Sequence, residues 1–132
     1  MVIDTSAIVA ILFGESERET FLGLLAAEPL LVISVVTFHE SSIVTAQKKR
    51  SPAAAQLVDN LTRDLAIEMI PLDVDGAGAA RDAYFRYGRG WHSAGLNLAD
   101  CFSYSLAKSR DEPLLFKGSD FLQTDVVAAW RS

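Results

Sequence analysis

The sequence is short of positive charge, of histidine and of cysteine. Twelve Lys and Arg residues stand against 17 Asp and Glu, a formal net charge of −5. No global basic field therefore draws the chain to nucleic acid, and a polyanionic partner must be attracted by local cations or by bound metal. A single cysteine, Cys101, excludes an internal disulfide and fits a reducing cytoplasm, where a small thiol among apolar helical residues is ordinarily buried. His39, His92 and Cys101 lack the paired spacing of a zinc site. No apolar stretch is long enough to cross a bilayer. The apolar run 7–13 also lacks the basic lead of a signal peptide, since Asp4 precedes it and the first basic residue is Arg18. Repeats, low-complexity tracts and Pro/Gly-rich linkers are missing as well. Half of the 132 residues are hydrophobic, enough for one sound core and too few for two. One cytoplasmic domain over residues 1–132, without membrane contact, is expected.

What is there is an alternation of apolar runs and helical patterns. Val2-Ile3 reads as a buried strand that stops at Asp4-Thr5-Ser6, where a helix over 6–12 begins, ended by Gly14. Ser16 and Glu19 have the spacing of a capping box for a helix to about Ala27. Residues 30–34 form the next strand, followed by a helix over about 36–49. Its closing Lys48-Lys49-Arg50 run suits a helix C-terminus. Ser51-Pro52 starts a further helix to about Asp64. Residues 67–72 make a third strand ending at Asp73. Asp75 opens a helix packed through Ala79, Ala80, Ala83 and Tyr84 and closed by Gly88 and Gly90. After the loop 91–97, Asn97 caps a helix over 98–110 whose core stripe reads Leu98, Cys101, Phe102, Ser105 and Leu106. A last buried strand, 114–116, leads into the turn Lys117-Gly118-Ser119-Asp120-Phe121, and residues 124–129 add a short edge strand or a helical turn. Such alternation argues an α/β protein with a mostly parallel sheet covered on both faces.

Four acids stand out by position. Asp4 and Asp120 end strands, while Glu40 and Asp100 open helices. In a parallel sheet, strand C-termini and the helix N-termini that follow share one edge, where ligands collect. In the helix over 36–49, Val36, Ile43 and Val44 fall on one stripe with Glu40 and Gln47, which turns Glu40 inward. An inward acid must be paired, protonated or bound to metal. Each acid also has an ordinary reading: Asp4 as a helix cap, Asp100 as a first-turn acid favoured by the dipole. Several carboxylates without a cation are untenable together at neutral pH unless protons or metal ions neutralise them. All-oxygen ligation selects Mg²⁺ or Mn²⁺, which can polarise a phosphodiester and generate hydroxide from water. Arg86, Arg89 and His92 could touch phosphate, although a solvated face is their ordinary explanation.

The segments around these acids resemble a known family. Val2-Ile3-Asp4-Thr5-Ser6-Ala7-Ile8-Val9-Ala10, Glu40 in the third helix, Leu96-Asn97-Leu98-Ala99-Asp100-Cys101 and Leu115-Phe116-Lys117-Gly118-Ser119-Asp120-Phe121 together are similar to PIN-domain ribonucleases, more narrowly to VapC-type toxins of type II toxin–antitoxin pairs. The resemblance implies a three-layer α/β/α sandwich whose Asp4, Glu40, Asp100 and Asp120 form a catalytic, metal-binding quartet for Mg²⁺ or Mn²⁺. It further implies endonucleolytic hydrolysis of single-stranded or loop RNA of the tRNA or rRNA class, a homodimer, and inhibition by a cognate VapB-like antitoxin. Ser119 stands where such proteins often have Asn. The alternatives are a receiver-like phosphoacceptor domain using Asp4, Asp73 and Lys117, and a non-catalytic PIN-like binding module. The receiver wants an acidic pair after the first strand, and Thr5-Ser6 is there instead. A phosphohydrolase with an Asp nucleophile wants a second Asp where Ser6 stands. A metal-free mechanism wants His as acid or base, and both histidines read as surface residues.

Overall fold

The computed structural model describes residues 1–132. Four short strands, β1 (Val2–Ile3), β2 (Val32–Ser34), β3 (Glu68–Ile70) and β4 (Leu114–Leu115), pair in the order β3-β2-β1-β4. Every pairing is parallel: Val2 lies against Val32 and Leu114, and Ile33 against Met69. The helices are α1 (Thr5–Leu12), α2 (Arg18–Ala27), α3 (Val35–Lys49), α4 (Gln56–Asp64), α5 (Val74–Tyr87) and α6 (Leu98–Arg110), with 3₁₀ turns at Pro52–Ala55 and Asp120–Gln123.

Strand periodicity divides the interior in two. Val2, Val32 and Leu114 point into one core with Ala80, Ala83 and Tyr87 of α5 and Cys101, Tyr104 and Ala107 of α6. Their neighbours Ile3, Ile33 and Leu115 point into the other, with Ala7, Ile8 and Ile11 of α1 and Phe21 and Leu25 of α2. Successive strand residues face opposite sides of a sheet, so the two cores make a three-layer α/β/α sandwich. The continuous apolar strands are what a sheet buried on both faces requires. After β4, residues 127–129 run along its free edge. Leu114 N–H donates to Val127 O (2.8 Å) and Ala129 N–H to Leu114 O (2.9 Å), so the tail takes the edge-strand alternative.

Several expected details differ. The capping box at Ser16 and Glu19 does not form: α2 starts at Arg18, Glu17 stands at its N-cap in helical conformation with no side-chain cap bond, and Glu19 pairs with Arg18. Glu17 turns instead to Lys117. Helix α5 begins one residue earlier than expected because Asp73 caps it, accepting from Gly76 N–H at 2.7 Å. Its inward face is Ala80, Ala83 and Tyr87, with Ala79 outside. In α6 the stripe is rotated toward Ser103, Tyr104 and Ala107, which leaves Leu98 70% exposed. In α3 the buried residues are Thr37, Ser41 and Thr45, and Ile43 is 46% exposed. Small hydroxyl side chains let α3 approach its neighbours closely, and a count of apolar residues cannot register that face.

Candidate active site

The C-terminal end of β1, the first turns of α1 and α6, the middle of α3 and the turn after β4 surround a pocket of about 490 Å³ whose lining includes Asp4, Glu40 and Asp100 with Thr5, Ser6, Asn97 and Lys117. Three of the four acids singled out in the sequence thus meet at one sheet edge. Asp120, the exposed first residue of the second 3₁₀ turn, lies outside this lining, yet its charge acts on Asp100.

Local structure aims each group. Asp4 is 3% exposed, and its Oδ2 accepts from Ser6 N–H (2.9 Å) and from Ser6 Oγ–H (2.7 Å), so it is the α1 cap as well as a wall of the pocket. Ser6 Oγ in turn accepts from Lys117 N–H at 3.0 Å, which ties the turn after β4 to the β1 end. Asn97 and Asp100 form a reciprocal capping box: Asn97 Oδ1 accepts from Asp100 N–H (2.8 Å), and Asp100 Oδ2 accepts from Asn97 N–H (2.9 Å). Glu40 sits half-buried at the border of the α3 inward face, where its neighbour Ser41 is fully buried. Helices α3 and α6 touch through a buried contact between Thr37 Oγ1 and Ser103 Oγ at 3.2 Å, one turn before Glu40 and one turn after Asp100.

The electrostatics are unfavourable as they stand. Burial raises the Asp100 carboxyl to about 7; the Asn97 N–H opposes this, and the charges of Asp4, Glu40 and Asp120 add to it. Burial also raises Glu40, and the charge of Asp4 adds to it. The one cation in the lining, Lys117, is held by Glu15 at 2.5 Å and Glu17 at 3.0 Å, so it does not neutralise the acids. Lys117, expected in a turn and as the phosphate partner of the receiver alternative, is an ion-pair partner of two glutamates. Its role at the rim depends on Glu15 and Glu17, two residues of an unremarkable surface loop.

The residues fit a hard divalent cation in chemistry. Apart from the Asn97 amide nitrogen and the Lys117 amine, which is held by Glu15 and Glu17, the polar side-chain atoms at the pocket are oxygens, and Thr5 Oγ1 is buried there without a hydrogen-bond partner. The side chains are not gathered tightly: no set of three His, Cys, Asp or Glu groups stands close enough to grip an ion. Like charges in a half-buried pocket repel one another, and a counter-ion would relieve that repulsion. His39 and His92 are both exposed, and His92 Nδ1 accepts from Ala94 N–H, so neither joins the acids.

The PIN domain family matches this chain over residues 1–127. The chain belongs to the PIN-domain family. Among curated relatives it is 46% identical to the "Ribonuclease VapC" of Mycolicibacterium smegmatis over 128 residues, 97% of this chain and 98% of that protein. It is 43% identical to "Ribonuclease VapC30" of Mycobacterium tuberculosis over 127 residues, 96% of each. Among solved structures, Mycobacterium tuberculosis VapC20, a "Sarcin-Ricin loop cleaving toxin", superposes with a TM-score of 0.77 at 16% identity, covering 96% of this chain and 95% of that one. VapBC2 from Rickettsia felis, bound to a promoter DNA fragment, gives 0.73 at 14% identity over 96% and 94%. At such identities the structures speak for the PIN fold alone, and the curated relatives place the chain among VapC ribonucleases. The receiver alternative loses its phosphoacceptor in this PIN domain, since Asp73 serves as the cap of α5. No helix is long and apolar enough to cross a membrane.

Proposed function

We propose that residues 1–132 form one catalytic unit, an Mg²⁺- or Mn²⁺-dependent endoribonuclease toxin that hydrolyses single-stranded or loop RNA of the tRNA or rRNA class. The observation that carries this reading is Asp100: a carboxyl raised to about 7 by burial and by three neighbouring acids, with no free cation beside it. A fold retains such repulsion where a ligand removes it. Asp4, Glu40 and Asp100 would hold the ion from the pocket wall and Asp120 from the rim. When bound, such an ion polarises the phosphoryl oxygen and makes water a stronger nucleophile.

The chain's own residues do the positioning. Ser6 fixes the Asp4 carboxylate through two hydrogen bonds and is itself fixed by the Lys117 amide. The capping box holds one oxygen of Asp100 toward its own helix, so its other oxygen is the one offered to the pocket. In the proposed reaction water attacks phosphorus in line and the bond to the 3′ oxygen breaks. The proton from water ends on that oxygen, which leaves a 5′-phosphate and a 3′-hydroxyl.

VapC20 is described as cleaving the sarcin–ricin loop, and one structural relative is a toxin–antitoxin complex from Klebsiella pneumoniae, with a TM-score of 0.70 at 20% identity. With the VapBC2 complex, that relative supports restraint by a VapB-like antitoxin, and the proposed toxin acts in the cytoplasm as a homodimer. The test incubates purified protein with structured RNAs in Mg²⁺ or Mn²⁺ and then in EDTA. Cleavage that survives EDTA, or that Asp4→Asn and Asp100→Asn retain at full rate, overturns the reading.

A further inference from the structure

Beside the carboxylate pocket lies a second one of about 520 Å³, walled by α5 and α6 and mostly apolar. The two share Asn97, so they adjoin at that residue. Tyr84 and Phe102 supply aromatic rings to the second pocket, and Arg81 and Arg89 stand at it, both exposed. Neither arginine takes part in an ion pair, a property they share with Arg50 and Arg131 elsewhere in the chain, so their place at this pocket rather than their being unpaired is what marks them. Asn97 Oδ1 is engaged by Asp100 N–H, which leaves its amide NH₂ to donate outward.

That combination matches the chemistry of a nucleotide. A base has an apolar face that stacks on aromatic rings and a polar edge that an amide can read, and its flanking phosphates seek arginine. The volume lies in the range of small-ligand sites. A protein partner can offer both an apolar side chain and carboxylates to such a pocket; what favours a nucleotide is the position, since the pocket adjoins the acidic edge at Asn97, where the substrate backbone must pass. In a chain of net charge −5, free cations beside the acidic pocket complement the substrate backbone. We propose that this pocket receives the unpaired base of an RNA nucleotide next to the bond to be cleaved, with Tyr84 and Phe102 against the base, Asn97 at its edge and Arg81 and Arg89 on adjoining phosphates. The proposal rests on the ribonuclease reading for the identity of the polymer, and its test does not depend on cleavage.

The full chain is titrated with the common nucleoside 5′-monophosphates and, separately, with ribose 5-phosphate, while amide NMR shifts are followed. At least one nucleotide should shift the amides of Ala77, Asn97 and Phe102 saturably, with a dissociation constant on the order of millimolar, and ribose 5-phosphate should bind about tenfold more weakly. Ala77→Trp, which fills the pocket from an exposed helical position, should weaken the nucleotide about tenfold. Arg81→Ala, at a solvent-exposed side chain, should weaken it severalfold and serves where the tryptophan disturbs the helix. No saturable shift with any nucleotide, or equal binding of ribose 5-phosphate, overturns the proposal. So does a loss of self-association in Ala77→Trp with nucleotide binding unchanged, which assigns the pocket to a second copy of the chain. Nucleotide binding in a protein that cleaves no RNA supports the pocket while overturning the ribonuclease reading.

Discussion

Two groups of acids in this molecule behave in opposite ways. At the start of β1 and β4, Glu112 accepts from the Met1 amine at 2.7 Å and from Arg110 Nε at 2.9 Å. Burial works to raise its carboxyl, but the amine and Arg110 more than offset this and hold it low. Asp125 accepts from the Tyr104 hydroxyl and pairs with Lys108 at 3.3 Å and Arg86 at 3.7 Å; the Tyr104 bond lowers it most, burial opposes this, and Lys108 and Arg86 lower it further. At the opposite sheet edge, Asp100 and Glu40 are raised. Acids that hold the fold are supplied with protein cations. Those at the proposed active edge are not, and the nearest lysine is tied to Glu15 and Glu17.

Charge removal should separate the two groups most sharply. Asp100→Asn and Asp4→Asn should lower RNA cleavage by more than about a hundredfold, because even the outer partners of metal ligands cost 10- to 100-fold. Asp100→Asn should at the same time raise the melting temperature of metal-free protein by roughly 3–5 °C, the shift that about 1 kcal/mol of relieved repulsion gives at this size. Glu112→Gln and Asp125→Asn should do the reverse, lowering the melting temperature and leaving the cleavage rate per folded molecule unchanged. Parallel calorimetry and cleavage assays check both, and the same sign for all variants would break the comparison.

The pH dependence follows with opposite slopes. Asp100 is raised from 3.8 to about 7, so its contribution to stability is fully present below pH 3.8 and is lost as pH rises through about 7. Glu112 and Asp125 are lowered, so theirs is present above their ordinary values and lost as pH falls through the depressed ones. Thermal melts of metal-free protein should therefore show a loss of stability on both sides of a maximum in mildly acidic solution. Added Mn²⁺ should remove the loss toward neutrality and leave the acid side as it is, with proton release on binding. The smallest effect concerns a neutral group. Thr45 Oγ1 is buried without a partner, and Thr45→Val should stabilise the fold by up to about 1 kcal/mol without altering cleavage.

The strand ends and caps of this site were legible in the sequence because they obey local chemistry. Val2-Ile3 followed by Asp4 is a buried strand meeting a helix cap, and Asn97 ahead of Leu98 is another cap; the return bond that joins Asn97 and Asp100 in a capping box is a finding of the structure. Glu40 was found by a less secure route. The stripe of Val36, Ile43 and Val44 pointed inward, but the observed inward face is Thr37, Ser41 and Thr45, so Glu40 borders the interior without lying at its centre. Helix α6 repeats the lesson: Leu98 counted as core and is exposed beside the second pocket, while Ser103 is buried. Apolar counting fails where helices meet through small hydroxyl residues, since close approach depends on side-chain size. Glu15 and Glu17 could not be linked to Lys117 from the sequence, because that contact joins residues about a hundred positions apart.

The buried contact between Thr37 and Ser103 works as a calliper. It lies one turn from Glu40 on one helix and one turn from Asp100 on the other, so a neutral pair of hydroxyls gauges the gap between two repelling carboxylates. Spacing and charge thereby become separately adjustable. An amide in place of either acid changes the charge across a gap of unchanged width, whereas an added methyl group at Ser103 would widen the gap and leave every charge in place.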